Sequence, residues 1–364
     1  MKVLVTGHNG YIGMVLAPLL REAGHDVVGI DTDLFVRCTF GADDSSAIPT
    51  IGSDIRELRA ADLRSIDAIV HLAGVCNDPL GDLIPETTFA INEAATIQLA
   101  ELAVEAGVKR FVFSSTCSVY GAALEDWVNE TSAPNPVTPY GASKYQAERG
   151  LLALASEQFC PVLLRSATAY GFSPRIRFDL VLNNLMAYAF TSQRVFLKSD
   201  GMAWRPIVHI EDISRAFLAA LEAPREVVHK EVFNVGSTTE NYRVRDIAEI
   251  VRRTVSGSSI SYASDAGADK RSYRVDCSKI AKVLPNFRPQ WTALAGAREL
   301  YQRYTQFGLQ SGDFEGERYQ RLAYLKALLG KGFLDTSLRW LPSAAEWRSG
   351  RSEDTPDQLL VAAQ

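Results

Sequence analysis

A chain of 364 residues, 47% hydrophobic and 22% charged, is long enough to bury a large core and predicts two lobes. Its formal net charge of −5 argues against a general nucleic-acid or anionic-membrane surface, yet leaves room for an anionic small ligand held by a few Arg or Lys. No apolar run reaches membrane-spanning length, and the first strand begins too near Met1 to leave room for a signal peptide. The cysteines at 38, 76, 117, 160 and 277 form no CxxC pair. A cytoplasmic protein without a disulfide framework is therefore expected. The five histidines show neither HExxH nor a His/Cys cluster, so no metal is expected.

In chain order, the first element is an apolar strand, residues 2–6, that runs into Gly7, Gly10 and Gly13. A helical pattern follows at 11–23. A turn with no side chains on its inner rim lets backbone N–H groups approach a pyrophosphate, and the helix directs its positive end at the same place. The second strand, 26–30, ends in Asp31. An acidic residue about twenty positions past the glycines accepts from an adenosine ribose and repels a 2′-phosphate. The next basic residue is Arg37, so the pattern predicts NAD rather than NADP.

Further strands are predicted at 67–72, 110–114 and 161–165, with helices at 86–107 and 140–158 and a short helix at 54–60. This alternation predicts a parallel sheet covered on both faces. Asp54 is placed by spacing near an adenine amino group. The helix around 92–106 is apolar almost all round, so it needs cover on two sides, from another subunit or from its own chain.

Past residue 165 the alternation loosens. An amphipathic stretch at 179–190 and helices at 243–255 and 277–284 predict a discontinuous second lobe, while 206–222 and 231–236 read as elements of the sheet lobe. The expected division is a doubly wound, Rossmann-type α/β domain over 1–170, continued by 201–236. A smaller α/β lobe for substrate comes from 171–200 and 237–300, and a helical extension with a polar tail from 301–364. Leu322, Leu325, Leu328 and Leu329 give residues 315–330 one apolar helical face. Arg175 and Arg177 read as a solvated loop, His71 and His209 as satisfied core histidines, and Cys117 as a small buried filler.

Tyr140 and Lys144, four apart on a helix, share a face, and an ammonium beside a phenol favours the phenolate. The strand at 110–114 ends in the hydroxyl run Ser114-Ser115-Thr116, at the sheet edge where a cofactor would lie. A hydroxyl there can hold a substrate oxygen while the tyrosine moves its proton.

These motifs, taken together, resemble the extended short-chain dehydrogenase/reductases, in the branch of nucleotide-sugar epimerases and dehydratases. They run in the family's order: TGHNGYIG at 6–13, Asp54-Ile55, His71-Leu72-Ala73-Gly74, Ser114-Ser115-Thr116, Tyr140-x-x-x-Lys144, Asn183-Asn184-Leu185, the segment from Arg205 to His209, and Phe233-Asn234-Val235-Gly236. The resemblance implies that Tyr140 is the acid/base, that Lys144 lowers its pKa and holds the nicotinamide ribose, and that Thr116 holds the reacting sugar oxygen. It assigns Gly7, Gly10, Tyr11, Ile12 and Gly13 to the pyrophosphate, Asp31 to the ribose, and Asp54 and Ile55 to adenine. Leu72, Ala73, Gly74 and Ser114 complete the cofactor set, with Tyr140 and Lys144. Asn184, Arg205 and Arg271 are implied to face a nucleoside-diphosphate sugar.

The dehydratases and decarboxylases of that superfamily carry acids just after the threonine, where this chain has Cys117 and Ser118. Its 3,5-epimerases use a cysteine at the position of Ser118. The expected activity is thus NAD-dependent epimerisation through a 4-keto sugar, by a homodimer. A dehydrogenase or ketoreductase that releases its cofactor is the alternative, and a non-catalytic NAD-binding regulator the third reading.

Overall fold

The computed structural model describes residues 1–41, 48–122, 125–267 and 272–348; Arg271 and the polar tail lie outside them. Seven strands build the central sheet: β1 (Lys2–Thr6), β2 (Asp26–Asp31), β3 (Thr50–Gly52), β4 (Ala68–His71), β5 (Arg110–Thr116), β7 (Cys160–Ser166) and β11 (Val232–Val235). Their order is β11-β7-β5-β4-β1-β2-β3, with every pair parallel. The chain leaves β1 in one direction for β2 and β3 and in the other for β4. The switch point therefore lies between β1 and β4, and the carboxyl ends there form the expected crevice. β4 and β7 are buried along their whole length, which is why they read as unbroken apolar runs rather than as alternation.

Helices α1 (Gly13–Glu22), α4 (Ala95–Ala106), α5 (Pro139–Ala153) and α7 (Ile210–Glu222) flank this sheet, with the short α2 (Asp78–Gly81), α3 (Pro85–Phe89) and α8 (Arg225–Val228) between them. The helix expected over 86–107 is interrupted by a π segment, Ala90–Ala94. Its cause is Asn92, fully buried, which clamps both backbone groups of Val75 at 2.8 and 2.9 Å. Periodicity alone cannot signal such a pull. The helix expected at 54–60 is two 3₁₀ turns, Ile55–Glu57 and Ala60–Leu63.

Smaller sheets form the rest: β8 (Thr168–Tyr170), β10 (Trp204–His209) and β12 (Asn241–Arg243) in one, β9 (Arg194–Ser199) with β13 (Ser259–Gly267), and β6 (Trp127–Val128) with β14 (Arg274–Val275). Helices α6 (Val181–Ser192), α9 (Val244–Thr254) and α11 (Ala293–Phe307) pack with them, whereas α10 (Ser278–Val283) packs on β11 of the central sheet. Phe40, from the N-terminal half, makes edge-on contacts with Phe172, Phe178, Tyr304, Phe307 and Tyr319 in the core of this second cluster.

The extension continues as α12 (Ser311–Glu315), α13 (Arg321–Gly330) and α14 (Ala345–Arg348). Leu325 and Leu328 of α13 are buried against Cys38, Val75 and Leu80. The segment between α13 and α14 lies across the ends of the first strands. Trp340 donates to the carbonyl of Thr32 at 2.6 Å, Arg56 to that of Ser337 at 2.8 Å and Thr87 to that of Thr336 at 2.8 Å, while Arg339 pairs with Glu57.

Candidate active site

A cavity of about 760 Å³ opens at the carboxyl ends of the central strands, and every predicted site residue within the described segments lines it. At one end lies the glycine turn. Gly7 has φ of +73°, and a Cβ there would lie 2.8 Å from the Ala73 nitrogen; at Gly13 it would lie 2.4 Å from the carbonyl of Gly7. These two positions exclude side chains, so that β1, the β4 exit and α1 can close together. α1 begins with no side-chain cap and no acid in its first turn, leaving its N–H groups for an anion. Tyr11 turns the other way: its hydroxyl donates to the Gly171 carbonyl at 2.7 Å and ties the turn to the second lobe.

Asp31 ends β2 and accepts from the backbone N–H groups of Asn9 (3.0 Å) and Asp33 (2.8 Å). Burial pushes its carboxyl above the usual carboxylate range, and these two N–H groups work against that shift. An uncapped helix start, a glycine cradle and a fixed carboxylate at the end of β2 fit a dinucleotide. Asp54 also faces the cavity, but both its oxygens are engaged by Arg56, at 2.9 and 2.5 Å. Ile55 beside it is buried.

The chemistry-bearing helix is α5. Thr138 caps it, accepting from Gly141 N at 3.2 Å while donating to Asp78 at 2.7 Å. Pro139 follows as first helical residue, a position where its missing N–H costs nothing. Tyr140, Lys144 and Glu148 then share one face. Glu148 anchors that face to the sheet: it receives Arg165 through Nε at 2.9 Å and Nη2 at 2.7 Å, and Ser115 Oγ at 2.5 Å. Thr116, one residue on, accepts from Ser118 N at 3.1 Å and hydrogen-bonds the Tyr140 side chain.

Lys144 is buried, donates to the Ser114 carbonyl at 3.0 Å and lies 4.6 Å above the Phe113 ring. Burial lowers its pKa. Burial raises the Tyr140 phenol, as does Cys76 beside it, while the Thr116 hydrogen bond and the charge of Arg177 oppose the rise. Sequence reasoning expected a cation beside the phenol in Lys144; Arg177 also puts positive charge there.

That arginine is a correction to the expected solvated loop. Arg175 is 1% exposed, and Arg177 lines the cavity paired with Asp179 at 2.6 Å. The signal was present as an alternation: Ile176 and Phe178 are fully buried, and the charged residues between and after them face the cavity. Asn184 spends one amide N–H on the Phe178 carbonyl at 2.8 Å, and Arg205 one on the Trp204 carbonyl at 2.8 Å. His71 lies between Thr6 (2.7 Å) and Thr96 (2.8 Å), and His209 stacks 3.8 Å from Trp291 and bonds Glu299 at 3.0 Å. Cys117 is buried, and that burial pushes its thiol up. Sequence reasoning also missed Phe35, Asn77, Arg321 and Leu338 as lining residues. Among the described residues no cluster of His, Cys, Asp or Glu could hold a metal, and no helix is long and apolar enough to cross a membrane.

The model of the NAD dependent epimerase/dehydratase family matches residues 3–236. The chain belongs to that family. Among its relatives, a UDP-glucose 4-epimerase of Neisseria gonorrhoeae is 30% identical over 296 residues, 72% of this chain and 85% of the relative. One of Mus musculus is 30% identical over 334 residues, 81% and 93%. Among solved structures, MoeE5 in complex with UDP-glucuronic acid and NAD superposes with a TM-score of 0.73 at 29% identity, over 85% of this chain and all of that one. The enzyme's cofactor is NAD.

Proposed function

We propose that the enzyme epimerises a nucleotide-activated sugar at C4. The observation that carries this reading is the trio Thr116, Tyr140 and Lys144 in one cavity with the glycine turn, in a family whose relatives act on UDP-glucose. When bound, NAD supplies a hydride acceptor and donor above the sugar ring. Tyr140 takes the proton of the 4-hydroxyl and returns it once the ring has turned. Thr116, fixed by Ser118 N, holds the oxygen in line. Lys144 lies at the ribose side and adds positive charge to the site, and Asp31 receives the adenosine ribose. Asn184 and Arg205, with Arg271, are the candidates for the diphosphate.

The segment over Thr32 and Asp54 favours a captive cofactor, regenerated in each turnover, over a dehydrogenase that must exchange it. The reading includes a homodimer, supported by the outward Val104 on α4 (41% exposed), and a cytoplasmic location, supported by the free cysteines.

The test is Tyr140→Phe with two readouts. Interconversion of UDP-glucose and UDP-galactose is expected to fall on the order of 10²–10⁴-fold, with NAD still bound. UDP at millimolar concentration is expected to raise the melting temperature of the wild type. Near-normal turnover by the variant refutes the mechanism, and the lack of a UDP shift refutes the nucleotide.

A further inference from the structure

Arg177 and Asp179 form an ion pair whose side chains are 14% and 21% exposed. It is held from the other lobe by Asn77, whose amide N–H donates to Asp179. Asn77 caps α2 with φ of +92°, a conformation that non-glycine residues hold only when their surroundings enforce it. The loop carrying the pair is pinned from α6, where Asn183 bonds the Arg177 carbonyl at 3.0 Å and Asn184 that of Phe178 at 2.8 Å. The pair is thus held from both sides and lines the cavity, and the charge of Arg177 acts on the Tyr140 phenol.

Its chemistry is half used. Arg177 gives Nε and Nη2 to Asp179, and Nη1 has no hydrogen bond among the described residues. Asp179 Oδ2 takes two donors, Arg177 and Asn77, while Oδ1 takes one. The pair therefore keeps an unused donor on Nη1 and accepting capacity on Oδ1, with no net charge. That combination suits a neutral hydroxyl, which donates and accepts at once, better than a carboxylate or phosphate, which Asp179 would repel.

We propose that the Arg177–Asp179 pair reads the sugar hydroxyl next to the reacting carbon, the 3-hydroxyl of a hexose oxidised at C4, and sets specificity there. The inference rests on the nucleotide-sugar reading above. A site built to bond a hydroxyl rejects the analogue lacking it, because its buried polar groups are then left unpaired.

The experiment is calorimetric titration of the NAD-loaded protein with UDP, UDP-glucose and UDP-3-deoxyglucose. For the wild type, UDP-glucose is expected to bind at least fivefold tighter than its 3-deoxy analogue. In Asp179→Asn and Arg177→Met that ratio is expected to approach one, with UDP affinity within twofold of wild type. A wild type that binds both sugars alike overturns the inference without any variant. So do variants that melt lower but keep the ratio, since the pair is then only a latch between lobes. Failure of UDP to bind the wild type removes the nucleotide-sugar reading, and the inference with it.

Discussion

Glu148→Ala isolates the support beneath the candidate active site. Glu148 and Arg165 are 1% and 4% exposed, in bidentate contact at 2.9 and 2.7 Å. Removing the carboxylate leaves a buried guanidinium with the Tyr120 hydroxyl at 3.2 Å and the face of the Tyr120 ring at 5.2 Å, and strands Ser115 Oγ. Breaking a buried pair from one side costs about 3–5 kcal/mol. At about 1.3 °C per kcal/mol for a chain this long, the melting temperature is expected to fall by about 4–7 °C. The companion variant Ser115→Ala/Glu148→Leu/Arg165→Met removes the ion pair and the serine together, leaves the Tyr120 hydroxyl bonded to Asn234, and is expected to recover most of that loss. Circular dichroism melts with saturating NAD read both. A fall of less than 2 °C in the single variant, or a triple variant less stable than the single, refutes the claim that desolvation of Arg165 sets the cost.

Two further outcomes follow from the site. His71 is buried, and this, with the charge of Lys144, lowers its pKa to about 3, so between pH 6.5 and 3 the unfolded chain binds a proton that the folded one refuses. Stability is expected to fall by about 1.4 kcal/mol per pH unit as pH drops below 6.5, relative to His71→Asn; a urea-midpoint difference between the two that is flat with pH refutes this. Because Asp31 would face a phosphate dianion, fluorescence titration is expected to show NAD bound at least tenfold tighter than NADP, and equal affinities would show that Asp31 does not face the ribose.

The central sheet was legible where its strands are buried on both faces and leave continuous apolar runs, as in β4 and β7; β3, exposed at all three residues, left none. The glycine turn and the Tyr140–Lys144 helix were legible because each rests on contiguous sequence. What escaped depends on side-chain pairings that composition and spacing do not announce. Asn92 breaks its helix to hold Val75. Asp54 looked open to a ligand until Arg56 closed on it. Arg177 looked solvated because Asn77, which holds its partner Asp179, lies 102 residues before that aspartate. The short strands β8, β12 and β14 carry too few residues for a periodic signal.

The segment from Thr336 to Trp340 has one more consequence, which concerns time. Its hydrogen bonds to Arg56 and from Trp340 to Thr32 span 281 and 308 residues, among the longest loops the fold must close, and such contacts form late. On a ribosome adding about 5–20 residues per second, the strands ending at Asp31 and Gly52 wait on the order of tens of seconds before their cover is even synthesised. The contacts that tie Thr336–Trp340 to Thr32, Arg56 and Thr87 are therefore among the last that the growing chain can make.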